Sequence, residues 1–325
     1  MNGDDLSDPV LPPRSSAPQR WDATVAETRF YWYDLLVNDP QVPDFRDPIG
    51  RYQRRMQFAL DATMEKRLLF FVVARPRLRF DVKKGPSWGF FGLKLTLPLL
   101  AGAENRKESI TLELEVPFEA TFKKPQVQLH DKYVTLNWGA MTECFSVHDL
   151  LQKFPNDLKY DSVVQYVGQT RDPQARLAKG RNQTVNRILE ENEAGMDTFL
   201  LVKRMDVAVQ TTAEDVASEA SSRSHVELLE AALIRYFEGE KPANRSTIDQ
   251  NNRRDRVAML VETYQLVGLG IDLGFKEADN FHDLKAPNVP VSRRHLLDCT
   301  FGPGGEIRIH RLADDAKPLI SLGDA

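Results

Sequence analysis

The amino-terminal part of the chain combines two segments of helical periodicity with a series of strand-like runs. Apolar side chains recur at helical spacing over 21–39, and Asp47 and Pro48 are start signals for a second helix within 46–66. Four runs rich in β-branched and aromatic residues follow, at residues 68–82, 90–100, 109–122 and 126–138. The pattern predicts an α+β domain of unknown role over residues 20–140, preceded by a disordered tail at 1–19.

After residue 140 the pattern changes to short strands that alternate with helices. Residues 161–168 and 197–205 are strand-like, and Asp172 followed by Pro173 is a typical start of a helix. Helical periodicity is present at 147–154, in "QTVNRILEENEA" and at 225–240. We therefore expect a second domain over 141–250, with residues 251–325 as an extension that packs on it and contains a hairpin.

Composition and charge exclude several classes of protein. The 325 residues carry 43 Lys and Arg against 47 Asp and Glu, so no global basic field draws the chain to polyanions, and any such site must be local. Cys144 and Cys299 lack metal-ligand or disulfide-framework spacing, which favours a reducing compartment. No apolar run is long enough to span a bilayer, and the amino terminus lacks the pattern of a secretory signal. We expect a cytoplasmic protein without a membrane partner.

One carboxylate in the second domain lies on an apolar helix face. Val226, Leu229, Leu233 and Phe237 recur at steps of three and four, and Glu230 lies on the same stripe. Removing an ionised carboxylate from water is costly unless it meets a cation or several donors. Glu230 is therefore either a residue at the margin of the stripe, which reaches solvent or pairs with a structural arginine, or part of a functional site.

Several other polar groups are positioned by the sequence to meet Glu230. Tyr166 and Gly168 end a predicted strand, Arg176 lies one turn into the next helix, and Asn244 follows the Glu230 helix. A carboxylate that holds a divalent cation, a phenol that positions water and a guanidinium that binds phosphate suit phosphodiester hydrolysis. One carboxylate indicates one metal ion.

These residues resemble the motifs of the GIY-YIG nucleases. "YVGQTRDPQARL" looks like the family's second signature, with Tyr166 and Arg176 at its spacing, and "LLEAALIRYF" looks like the segment that carries its metal-binding glutamate, here Glu230. Asn244 stands in the matching P-x-N setting. The resemblance covers about residues 143–248 and implies a small mixed β-sheet flanked by helices. It also implies Mg²⁺- or Mn²⁺-dependent cleavage, with Tyr166 orienting water, Arg176 binding phosphate, Glu230 binding the metal and Asn244 supporting the site.

The family's first triplet is not evident in this chain. About ten residues before Tyr166 the sequence reads "KFPNDLKY". Two replacements for the missing tyrosine are open: a first strand near "ECFSV", with Phe145 in the tyrosine position, or Tyr160 acting from the loop. The function predicted by the resemblance is a metal-dependent endonuclease, and the alternative is a nucleic-acid-binding module that keeps the fold without cleavage.

A local basic patch is the expected contact surface for nucleic acid, with DNA favoured over RNA. The predicted contacts near the site are Gly168, through its exposed backbone, with Arg171, Lys179, Arg181 and Lys203. Trp88, Phe90 and Phe91 form either a base-stacking hairpin tip or a turn that folds back onto its own core. Residues 20–140 are expected to recruit substrate or a protein partner.

Overall fold

The computed structural model describes residues 14–15, 17–33, 47–61, 68–170, 183–192, 195–211, 222–240, 245–274 and 283–316. Helices and several sheets coexist in these parts of the chain, so the predicted α+β class is confirmed. No helix within the described ranges is both long and apolar enough to cross a bilayer.

The described strands are numbered in chain order, and their bounds are β1 Gln19–Trp32, β2 Leu68–Pro76, β3 Leu78–Phe80, β4 Ser87–Trp88, β5 Lys94–Ala101, β6 Arg106–Glu113, β7 Gln126–Leu129, β8 Tyr133–Asn137, β9 Thr142–Ser146, β10 Ser162–Thr170, β11 Met196–Thr211, β12 Leu266–Asp272, β13 Leu284–Ala286, β14 Val289–Ser292, β15 Leu296–Phe301 and β16 Ile307–Arg311. The described helices are α1 Pro48–Asp61, α2 Val147–Lys153, α3 Gln183–Asn192, α4 Ser222–Phe237 and α5 Thr247–Tyr264. A short 3-10 turn occupies Pro303–Gly305.

The largest sheet has nine strands in the order β14-β13-β10-β2-β11-β1-β12-β15-β16. Strands β10 and β11 both pair antiparallel with β2, which lies between them. Strands from both sides of the expected boundary at residue 140 thus pair within one sheet, and that boundary does not coincide with a break in the sheet. The sheet is also larger than the small one that the resemblance implies.

The segment that begins at Trp21 is a strand where the apolar spacing predicts a helix. Strand β1 pairs antiparallel with β11 from Gln19 to Trp32 and parallel with β12 from Gln19 to Thr24. These pairings satisfy its backbone groups on both sides, and its aromatic and β-branched side chains suit a pleated surface. Because both partners are distant in sequence, local periodicity could not reveal them.

Most other predicted elements are confirmed. Helix α1 begins at Pro48, where the carboxylate of Asp47 accepts from the amides of Ile49 and Gly50. The predicted helices at 147–154 and 225–240 and the predicted carboxy-terminal hairpin correspond to α2, α4 and the β15–β16 pair. The helix that Asp172 and Pro173 were expected to start lies outside the described residues.

Two hydrophobic clusters cover opposite faces of the large sheet. Alternate residues of β2 divide between them, since Phe71 packs with α4 and Phe70 packs with α3. The first cluster also includes α5 and the smaller sheets, β3-β5-β4 with β6 and β7-β8-β9. Strand β10 therefore presents one set of side chains to α3 and the other to α4.

Candidate functional site

The far end of β10 lies at an edge of the large sheet. Strand β13 pairs with β10 only at Ser162 and Val163, before the motif residues begin. From Tyr166 to Thr170, β10 pairs only with β2 among the strands of the described residues. The outward backbone groups of this stretch therefore need partners that are not a strand.

An ion pair supplies those partners at Val167. Its amide donates to Glu238 Oε1 at 2.8 Å, and its carbonyl accepts from Nη2 of Arg245. Arg245 also donates to both oxygens of Glu238, from Nε at 2.9 Å and from Nη2 at 2.6 Å. Both side chains are only 6% exposed. The carboxylate and the guanidinium together replace a neighbouring strand at this position.

The charge of Arg245 is stabilised by this arrangement. Burial disfavours the charged form, but the hydrogen bonds to Glu238 and its negative charge outweigh burial and raise the pKa of Arg245. Arg245 is therefore a buried side chain whose guanidinium already binds Glu238 and the Val167 carbonyl in the free protein.

Tyr166 lies directly beside this ion pair, on the α3 side of the sheet. Its ring stacks on Phe70, and the Cζ of Arg245 lies 4.3 Å from the ring centroid on a cation–π contact. The Tyr166 hydroxyl is 3.5 Å from Nη1 of Arg245. The side chain is 7% exposed, and the phenol thus points to the edge of β10 from within a packed cluster.

Close packing of aromatic rings requires glycine at position 168. A Cβ at this position would lie 2.6 Å from Cζ of Phe70 and 2.9 Å from Cε1 of Tyr166. The residue is buried. The prediction that Gly168 contacts nucleic acid through an exposed backbone is therefore wrong, because two aromatic rings close over it.

Glu230 reaches the same edge from the opposite face. Helix α4 packs on the other side of β10, and Gln169, which points to that side, donates from Nε2 to Glu230 Oε2 at 2.8 Å. The carboxylate is neither on the surface nor enclosed in the core. Tyr166 and Glu230 thus converge at one edge of the sheet, although they come from its two faces.

Arg253, on α5, completes this group, which we call the β10-edge cluster: Tyr166, Gln169, Glu230, Glu238, Arg245 and Arg253. Its guanidinium interacts electrostatically with Glu230, Glu238 and Tyr166 and is repelled by Arg245. Burial, followed by that repulsion, lowers the pKa of Arg253. Within the described residues Arg253 makes no hydrogen bond or ion pair. An arginine in this state has all its donors available for an anion.

The structure does not bring either suggested replacement for the missing first tyrosine, Phe145 or Tyr160, beside Tyr166 in the sheet. Strand β9, which contains Phe145, belongs to a separate three-stranded sheet with β7 and β8. Tyr160 precedes the opposite end of β10, where its carbonyl accepts from Arg75 at 2.7 Å. Neither residue lies on the strand beside Tyr166: that strand is β2, which places Phe70 next to Tyr166.

Lys203 is also misplaced by the sequence prediction. It is 0% exposed, with its ammonium 3.4 Å from the Thr28 hydroxyl and 5.6 Å from the centroid of the Phe71 ring. Burial lowers the pKa of Lys203 well below its usual value. Lys203 therefore contributes nothing to a surface patch.

Five of the predicted site residues lie outside the described residues: Arg171, Arg176, Lys179, Arg181 and Asn244. Their predicted roles stay predictions.

Within the β10-edge cluster, Glu230 is the carboxylate that could bind a divalent cation. Glu230 offers hard carboxylate oxygen, whereas both oxygens of Glu238 already accept from Arg245. Within the described residues no group of three or more His, Cys, Asp or Glu side chains is placed to hold a metal. Mg²⁺ commonly binds through one or two carboxylates together with substrate phosphates. Glu230 fits such a site if phosphate oxygens complete the coordination.

The aromatic turn between β4 and β5 is exposed. Phe90 is 94% and Phe91 is 79% exposed, and their rings contact each other at 4.7 Å between centroids. The alternative in which these two residues fold back onto their own core is wrong. Lys124 lies over the neighbouring Trp88 ring at 5.2 Å, so the tip combines aromatic surface with a cation.

In comparisons with known proteins, no family model, curated protein or solved structure matches this chain. The resemblance to the GIY-YIG nucleases therefore rests on the residues quoted from the sequence.

Arg253, Glu238 and Gln169 were not singled out from the sequence, although one signal was available. Val257, Leu260 and Tyr264 are the buried residues of α5, and Arg253 precedes them at the same helical spacing. A charge on an apolar stripe is the signal that identified Glu230. Glu238 offered no such signal, because its role depends on the open edge of β10.

Proposed function

We propose that this protein binds the phosphodiester backbone of nucleic acid at the β10-edge cluster and hydrolyses it with a divalent cation held by Glu230. The observation that carries the proposal is Arg253, a half-buried guanidinium without a hydrogen-bond partner among the described residues, which interacts electrostatically with both Glu230 and Tyr166. A phosphate would meet the donors that this guanidinium leaves available.

Each residue of the cluster then has a distinct part in the reaction. Arg253 binds the phosphate and balances the negative charge on its oxygens, and the Tyr166 hydroxyl orients the attacking water. Glu230 holds the cation, with Gln169 fixing one of its carboxylate oxygens. A bound divalent cation polarises a phosphoryl oxygen and lowers the barrier to displacement. Glu238 and Arg245 keep the edge of β10 in place, so the phenol stays beside the phosphate.

A binding module without cleavage is the second candidate, and two observations favour it. The aromatic residue that stacks on Tyr166 is Phe70, which has no hydroxyl to act on water. The exposed pair Phe90 and Phe91 also suits stacking on unpaired bases, which contributes affinity without chemistry. Both candidates share the phosphate contact at Arg253.

Cleavage assays separate the two candidates. Supercoiled plasmid, single-stranded DNA and RNA oligonucleotides are incubated with the wild type in Mg²⁺, in Mn²⁺ and in EDTA. The nuclease proposal expects metal-dependent cleavage by the wild type that falls to the EDTA level in Glu230→Gln, a change that keeps an acceptor for Gln169 but removes the charge. Glu191→Gln, on α3 and 64% exposed, is the matched control and keeps wild-type activity.

Cleavage that persists in Glu230→Gln contradicts the assignment of the metal site. Salt-sensitive binding by a wild type that cuts none of the substrates favours the binding module.

A further inference from the structure

A cavity of about 370 Å³ lies between α4, α5 and the 3-10 turn at Pro303–Gly305. This volume is within the range of roughly 300–1,000 Å³ that is usual for small-molecule sites. Six of the lining residues define its character: Arg235, Arg253, Arg254, Ile234, Val257 and Ile307. The cavity therefore combines three guanidinium groups with an aliphatic floor.

The turn that closes one side of the cavity is packed against α5. Gly305 has a φ of 75°, and a Cβ there would lie 2.2 Å from the Arg254 carbonyl oxygen. Only glycine permits this approach, because both the backbone conformation and the contact exclude a side chain. Ile234 and Val257 are each 2% exposed and hold the floor as part of the main core. The cavity is thus built by rigid elements on three sides.

The charges around the cavity are unequally neutralised. Arg235 pairs with Glu240 at 2.5 Å, and Glu306, the other acidic lining residue, pairs with Arg308 at 2.9 Å. Arg253 and Arg254 make no ion pair or hydrogen bond within the parts of the chain that the structure describes. Two adjacent guanidinium groups with open donors can share the several oxygens of one phosphate, whereas a carboxylate is satisfied by one of them.

We propose that this cavity binds a phosphomonoester with a flat, largely apolar body, of the size and chemistry of a nucleoside monophosphate. Arg253 and Arg254 receive the phosphate, and Ile234, Val257 and Ile307 receive the ring system. The ligand is either a free mononucleotide or the terminal nucleotide of a strand. The cavity shares Arg253 with the β10-edge cluster, but binding there does not require the protein to cleave anything.

Isothermal titration calorimetry with adenosine monophosphate, adenosine and inorganic phosphate tests the site. We expect adenosine monophosphate to bind at least tenfold more tightly than either of the other two, because only it engages both halves of the cavity. Arg254→Gln weakens that binding about tenfold, and Ala231→Met, which adds volume at a lining position, weakens adenosine monophosphate more than inorganic phosphate. Arg187→Gln, on α3 and 51% exposed, removes the same charge and leaves affinity unchanged.

Several results would overturn the proposal: no binding of adenosine monophosphate, equal affinity for adenosine monophosphate and inorganic phosphate, or equal losses in Arg254→Gln and Arg187→Gln. Melting temperatures confirm that each variant is folded. Glu230→Gln separates this site from the nuclease proposal, because it is expected to abolish cleavage and to leave adenosine monophosphate binding intact. Displacement of bound adenosine monophosphate by a 5′-phosphorylated oligonucleotide, but not by its 5′-hydroxyl form, identifies a strand end as the ligand.

Discussion

Two clusters of charged side chains in this molecule differ in how completely their groups are satisfied. In the first, which we call the Asp197 cluster, the carboxylate accepts from His148 Nε2 at 2.8 Å, from Arg79 Nη1 at 2.9 Å and from the Leu78 amide at 3.0 Å. Asp197 is 1% exposed. In the β10-edge cluster, Glu238 and Arg245 are similarly engaged, but Arg253 makes no hydrogen bond or ion pair within the described residues.

The difference separates a structural role from a binding role. A buried carboxylate with a full set of donors has a structural role. Removing it destabilises the fold, because its buried donors then lack a hydrogen-bond acceptor. A guanidinium that is partly withdrawn from water and has open donors adds little to the stability of the free protein, and an arriving anion engages those donors. We therefore expect mutations in the Asp197 cluster to change stability and mutations at Arg253 to change binding.

The largest expected effect is the loss of stability in Asp197→Ala. Removing this carboxylate takes an acceptor from buried His148 and from the Leu78 amide and leaves Arg79 with its weaker ion pair, and breaking a buried pair in this way costs about 3–5 kcal/mol in the free energy of unfolding. Urea denaturation measures the change, and Glu191→Gln at an exposed pair is expected to stay within about 0.5 kcal/mol of wild type. A loss below about 1 kcal/mol in Asp197→Ala contradicts the structural role.

The stability of the protein at low pH tests the burial of a second polar side chain, His295. His295 is 0% exposed and lies 3.0 Å from the Tyr236 hydroxyl, and burial lowers its pKa to about 4. The unfolded chain takes up this proton near pH 6.5 and the folded chain only near pH 4, so the stabilisation is complete above about pH 6.5. It falls by about 3 kcal/mol as the pH drops to 4.

Denaturation from pH 8 to pH 4 measures this loss, and His295→Gln is expected to reduce it. Asp197 adds a further loss only at lower pH, because its donors and the charge of Arg79 outweigh burial and hold its pKa below the usual range. A stability profile that is flat from pH 6.5 to pH 4 contradicts the burial of neutral His295.

Oligonucleotide affinity stays constant from pH 8 to pH 6.5, since arginine does not titrate there.

A smaller effect is expected at Gly168, where the β10-edge cluster meets the core. In Gly168→Ala the new Cβ meets the Phe70 ring at 2.6 Å, and overpacking of this kind costs about 1–3 kcal/mol. Thermal denaturation measures the cost, and Phe70→Leu in the same chain is expected to recover part of it. If Gly168→Ala is as stable as the wild type and binds nucleic acid less well, Gly168 contacts the ligand after all.

The sequence predicted the elements whose signals are local. Asp47 and Pro48 start α1 as expected, and the apolar stripe around Leu229 and Leu233 gives α4. The same reasoning failed at β1, because pairing with β11 and β12 decides its conformation and neither partner is near it in sequence. Local patterns are therefore informative about helices and less so about the order of strands.

The candidate site was predicted in part for the same reason. Tyr166 and Glu230 carry local signals, a motif spacing and a charge on an apolar stripe, and they converge at the edge of β10. The role of Phe70 could not be predicted, because 85 residues of chain, 77–161, separate β2 from β10 although the two strands pair. Burial of Lys203 was likewise invisible, since Thr28 and Phe71 reach it only after the sheet has formed.

Measuring the oligonucleotide affinities of Arg253→Gln and Arg187→Gln over the same series of salt concentrations tests the binding role of the β10-edge cluster most directly. Both variants lose one positive charge, but only Arg253 faces Glu230 and Tyr166. We expect Arg253→Gln to bind about tenfold more weakly than wild type, a change of about 1.4 kcal/mol, with a salt slope lower by about 1 and with unchanged stability. Equal affinities for the two variants would contradict a phosphate site at Arg253.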